Sequence, residues 1–118
     1  MLNTNLSHIE SDDEFRKVLD ENENVMITCG RMGPMCIPVY DVMESLERKY
    51  PQVAFRDMAF DGPASHNIKS LPEVQSFTGL PFVVYFRNGQ VVEARTSIQT
   101  KAQVREVLDR HFAAHKAA

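Results

Sequence analysis

The run Phe82-Val83-Val84-Tyr85-Phe86 constrains the fold of this chain more than any other stretch. Five apolar residues in a row, all β-branched or aromatic, fit a buried strand. Asn88-Gly89 follows directly, a pair suited to the positive φ angles of a type I′ turn. Val91 to Thr96 is then the returning strand of a hairpin. Such a sheet needs covering layers, and the rest of the chain supplies patterns for them.

Ser11-Asp12-Asp13-Glu14 reads as a capping box at a helix start. Phe15, Val18 and Leu19 give that helix one apolar face, and the polar Glu21-Asn22-Glu23-Asn24 ends it. Val39, Val42, Met43, Leu46 and Tyr50 recur at helical spacing. Pro38 suits the first position of that helix and Pro51 closes it. Pro72 to Phe77 fits one short helix ended by Thr78-Gly79. Thr100 and Gln103 form a second capping box, ahead of the stripe Val104, Val107, Leu108 and Phe112. Strands are expected at Leu6 to Ile9, at Val25 to Cys29 and at Val53 to Phe60, the last broken by Asp61-Gly62-Pro63. Ala64 to Ser70 has no clear period. The order β-α-β-α-β-α-β-β-α implies an α/β fold, a mixed central sheet flanked by helices.

A length of 118 residues suits one domain, 1–118, with one core. The net charge of −3 comes with no basic cluster, so nucleic acid has no electrostatic footprint here. No apolar run approaches the ~20 residues that span a bilayer. The first residues lack a basic segment followed by an apolar one. The expected setting is therefore cytoplasmic, and the tail from Ala113 to Ala118 is expected to fray.

Cys29-Gly30-Arg31-Met32-Gly33-Pro34-Met35-Cys36 holds the only two cysteines. Strand, loop and helix in this order suit a thiol–disulfide site, because a helix N-terminus stabilises a nearby thiolate. Gly30, Gly33 and Pro34 allow the loop to turn back, so a reversible dithiol–disulfide is one reading. The other is two ordinary reduced cysteines. Closing so short a ring would contribute only ~2.5 kcal/mol in the chain-entropy model, which argues against a purely structural bridge. Met32, Met35 and Ile37 either form an apolar rim round the sulfurs or pack inward under the loop. Phe82 belongs either to the same surface or to the core. His8, His66, His111 and His115 are scattered and lack zinc-ligand spacing. No phosphate loop or serine–histidine signature is present. No cofactor or metal is expected.

The segment Gly79-Leu80-Pro81-Phe82-Val83-Val84-Tyr85-Phe86-Arg87-Asn88-Gly89 resembles the thioredoxin segment G-I-P-T-[apolar]₃-F-x-N-G. The resemblance is to the thioredoxin family and extends from Leu6 to Phe112. It implies a thioredoxin fold, with Pro81 cis and beside the cysteine loop. It also implies that the backbone of Leu80 pairs with an extended protein substrate. Read without the family, Pro81 is a strand-initiating proline.

The family site is W-C-G-P-C, whereas here six residues separate the cysteines and tryptophan is absent. The family's central strand carries a buried aspartate, and here Val25-Met26-Ile27-Thr28 holds no acid. No buried carboxylate is thus expected under the loop. Counted back from Tyr50, Cys36 takes the second family cysteine. Counted from Pro38, it takes the first, which is the count favoured here.

The function implied is a thiol–disulfide oxidoreductase, an atypical thioredoxin serving electron transfer and cell redox homeostasis. Cys36 would attack and Cys29 would resolve, with Cys36 the more exposed. Leu80, Pro81, Met35 and Ile37 would touch a protein substrate bearing a disulfide or thiol, and a reductase would donate electrons. The alternative is a redox-inactive thioredoxin-fold binding or adaptor module.

Overall fold

A computed structural model describes residues 2–113. His115 and most of the tail expected to fray lie outside them. Five strands form one sheet in the order β1-β3-β2-β4-β5. They are β1 Ser7–His8, β2 Asn24–Gly30, β3 Val53–Ala59, β4 Phe82–Arg87 and β5 Gln90–Thr96. β1, β3 and β2 run parallel, while β4 and β5 are antiparallel to their neighbours. The helices are α1 Asp12–Glu21, α2 Ile37–Leu46, α3 His66–Lys69 and α4 Lys101–His111. The fold is that of thioredoxin.

The caps behave as their chemistry requires. Ser11 Oγ accepts the Glu14 N–H at the start of α1, but Glu14 Oε1 accepts from the Glu10 N–H, one residue short of a closed box. Thr100 and Gln103 close both halves at α4. Asn88 and Gly89 take φ of 52° and 77°, the two positive angles of the hairpin turn. The stretch without clear period contains the single-turn α3, and Pro72–Val74 makes only one 3-10 turn. Both segments are too short for a periodic signal to develop.

Successive residues of a strand point to opposite faces, and β2 divides the core accordingly. Met26 and Thr28 face α2 and α4; Thr28 Oγ1 lies 2.9 Å from Met43 Sδ. Val25, Ile27 and Cys29 face α1 and α3. Val104, Val107, Leu108 and Phe112 of the final stripe are buried in the first of these layers. The N-terminal segment crosses the same layer, anchored by buried Leu2 and Leu6.

Candidate functional site

The loop from β2 to α2 starts at Gly30. A side chain there would meet Tyr40 Oη at 2.7 Å, Cys36 Sγ at 2.8 Å and Pro81 Cβ at 3.1 Å. Three groups, two from the start of α2 and one from the Leu80–Pro81 bend, thus converge on one hydrogen-only position. The Leu80–Pro81 peptide is cis, and Leu80 is half-buried where the two core layers meet.

Gly33 C=O accepts from both the Cys36 N–H, at 3.1 Å, and the Ile37 N–H, at 3.0 Å. The second is an α-type bond, so the first turn opens at Gly33-Pro34 and leads into α2. Pro38 is the second residue of α2 rather than the opening one. Cys36, already helical at φ −91° and ψ −45°, is carried into the core. Met32, Met35 and Ile37 remain outside at 40%, 42% and 38% exposure, which makes them the apolar rim.

Cys36 is 2% exposed and Cys29 0%, so both residues are buried. Both are free thiols. They also lie in different layers: Cys36 packs with Val39, Tyr40 and Met43, and Cys29 packs with Ile27, Met58 and Phe82. The backbone of β2 stands between them, because residue 29 and residue 30 alternate and it is position 30 that faces Cys36. The loop does turn back, and it brings Cys36 to the side of the strand that position 30 faces. Burial pushes the Cys29 thiol up to about 12, against a smaller opposing pull from Lys69.

Cys36 Sγ accepts the Arg31 backbone N–H at 3.4 Å. The Arg31 guanidinium turns away and grips Asp61 in two bonds of 2.7 and 2.8 Å. That contact holds the Asp61 carboxyl below its usual range. Phe60 takes the Arg31 guanidinium carbon 5.1 Å and the Lys69 ammonium 4.0 Å from its ring centre. Tyr40 Oη donates to Arg31 C=O at 3.0 Å, and burial raises its pKa so that it stays protonated.

A buried carboxylate does lie in this layer, contrary to the expectation from β2. Asp57 of β3 is fully buried, pairs in register with Thr28, and faces the α2 side. It accepts from Thr4 Oγ1 and pairs with His8 Nδ1. Burial raises its pKa, opposed by those two partners. The signal was present in β3: Val53, Phe55 and Asp57 share one face by period two, which places an acid on a buried row.

The loop tip holds a second feature that the cysteine spacing obscured. Met32-Gly33-Pro34-Met35 repeats the G-P of W-C-G-P-C with methionine at both cysteine positions, and Gly33-Pro34 is where the turn into α2 opens. Among the described residues no cluster of histidine, cysteine and carboxylate side chains could hold a metal ion.

The loop, the Leu80–Pro81 bend and the five-stranded order together define a thioredoxin-fold chain with an altered cysteine site. A variant thioredoxin from Halobacterium salinarum superposes with a TM-score of 0.77 at 16% identity, covering 98% of this chain and 100% of that one. Fasciola hepatica thioredoxin gives 0.75 at 18% identity, covering 90% and 99%. Mitochondrial thioredoxin 3 of Saccharomyces cerevisiae gives 0.70 at 22%, covering 88% and 94%. No family model and no curated protein matches the sequence. Among the described residues no helix is long and apolar enough to cross a membrane.

Proposed function

We propose that the chain is a thioredoxin-fold binding module that docks an extended segment of a protein partner over Leu80–Pro81 and the rim Met32, Met35 and Ile37. It does so without a Cys29–Cys36 disulfide cycle. The observation that carries this reading is the placement of the two thiols on opposite sides of β2. An attacking and a resolving thiol must reach one another to expel a mixed disulfide. Methionine at 32 and 35 supports the same reading, because a thioether forms neither a thiolate nor a disulfide. It does supply an adaptable apolar contact. A cytoplasmic setting goes with this reading, since free thiols persist there.

One observation favours the oxidoreductase reading instead. The Arg31 N–H directed at Cys36 Sγ places a backbone hydrogen-bond donor on that sulfur. In that reading Cys36 attacks a partner disulfide, Cys29 resolves after the end of β2 rearranges, and a reductase restores the pair.

One measurement separates the readings and a second tests the docking surface. Reduction of a small aromatic disulfide, driven by excess dithiothreitol, should run at the uncatalysed rate with wild type and Cys36→Ser alike. A wild-type rate enhancement lost in Cys36→Ser would overturn the binding-module reading. Panning of a random linear peptide library should enrich apolar sequences on wild type and not on Ile37→Asp. Equal enrichment on both would remove the rim from the docking surface.

A further inference from the structure

β5 is the last strand of the sheet, so among the described residues one edge of its backbone pairs with β4 and the other is open. The Ser97 N–H donates inward to Pro81 C=O at 3.0 Å. In an antiparallel ladder the inward and outward groups alternate from residue to residue. Residues 95 and 93 therefore point their backbone groups at β4, while Thr96 and Ala94 point theirs outward. A second copy of this strand can pair with those outward groups, and a two-fold axis at Ala94 places Ala94 opposite its own copy.

That register sets Glu93 of one copy opposite Arg95 of the other, and Arg95 opposite Glu93. Both side chains lie on the sheet face covered by α4, where Glu93 already meets Arg95 at 2.7 Å, Arg110 at 3.4 Å and His111 Nε2 at 3.2 Å. Pairing two such edges joins the two sets into one alternating ladder of charge. Directly opposed unlike charges stabilise a cross-strand pair, and like charges destabilise it. On the other face, a cavity of about 360 Å³ runs along the strand between Phe77, Glu73 and residues 91–94. It leaves the half-buried Val91 and Ala94 beside the open edge for a second copy to cover.

We propose that the β5 edge is a self-association surface, on which two copies of this chain pair antiparallel about Ala94. It is separate from the Leu80–Pro81 surface and stands or falls independently of it.

Sedimentation equilibrium across a range of protein concentrations tests this. Wild type should show a concentration-dependent monomer–dimer equilibrium. Arg95→Glu puts Glu93 opposite a glutamate twice and should weaken the dimer roughly tenfold. Combining Glu93→Arg with Arg95→Glu restores both unlike pairs and should return most of that loss, which a merely structural role for either residue would not do. Ala94→Pro removes an outward N–H that β4 does not use. It should leave a folded monomer by circular dichroism and abolish the dimer. A chain that stays monomeric to concentrations on the order of 1 mM overturns the proposal. So does a dimer indifferent to Arg95→Glu and Ala94→Pro, or a charge-swapped double variant no better than Arg95→Glu alone.

Discussion

The two sides of β2 have been given different work. On the side of α1 and α3 the large buried groups are apolar or aromatic, with the small Ser65 at the head of α3 donating its hydroxyl to Gly62 C=O: Phe15 meets Phe86 edge-on at 6.0 Å, and Phe82 meets Phe60 and Phe77 at 5.6 Å each. Cys29 sits among them as a small hydrophobe. On the side of α2 and α4 the core contains Cys36, Tyr40, Thr28 and Asp57, each with a polar contact. Their partners lie in the N-terminal segment, in the loop and, for Thr28, on α2 at Met43, while the Tyr85 hydroxyl of the same layer is buried without a hydrogen-bond partner among the described residues. The difference shows that the chemistry beneath the loop belongs to one layer. One of the two cysteines is in that layer and the other lies among the apolar side chains of the opposite one.

The largest expected effect comes from filling the junction at Gly30. Gly30→Val must displace Tyr40 Oη, Cys36 Sγ or the Pro81 ring. A loss of about 2–3 kcal/mol by urea unfolding is expected. Gly33→Ala meets nothing within 4 Å and should change stability by less than about 0.5 kcal/mol. Equal effects of the two would break the picture of a packed site beneath an open loop.

The cysteines should separate next. Cys29→Ser buries a hydroxyl among apolar neighbours and should cost about 2 kcal/mol. Cys36→Ser places its hydroxyl where the Arg31 N–H already points and should cost less than about 1 kcal/mol. The reverse order would show that the two layers have been assigned backwards.

Asp57 gives a smaller, pH-dependent contrast. Its folded pKa is raised above the ordinary 3.8, so the folded state holds its proton more tightly than the unfolded state. Its contribution is therefore most favourable in acid and declines as pH rises from 3.8 through the raised folded value. Asp57→Asn lacks that decline. Denaturant titrations of both proteins should show the wild-type advantage shrinking, or its deficit growing, across that window. A difference that does not change with pH would mean that burial does not shift this carboxyl.

The fold was legible because its signals are local and repeated. The hairpin at Asn88-Gly89, the capping box at Thr100 and the stripes of α2 and α4 each state a period or a turn that the structure keeps. The site was less legible. Cysteine spacing says how far the chain can reach but not which face of a strand a side chain leaves from, and a shift of one residue reverses the answer. Pro38 looked like a helix opener, yet Gly33-Pro34 opens the turn before it, and proline fits either early position. Asp57 escapes a reading of β2 because it reaches the same layer from the neighbouring strand β3. The Asn5 amide on Glu44 and the Thr4 and His8 contacts to Asp57 join residues far apart in sequence, which no local pattern reports.

The central claim is that the sheet keeps the two thiols apart, and counting them under oxidation tests it most directly. The native protein is treated with a mild dithiol oxidant such as diamide. It is then denatured, alkylated with iodoacetamide and weighed intact. The expected result is a chain carrying two alkyl groups, with both cysteines still reduced. A monomeric chain two hydrogens lighter and carrying none would mean that Cys29 and Cys36 had bridged across β2, and would contradict the account.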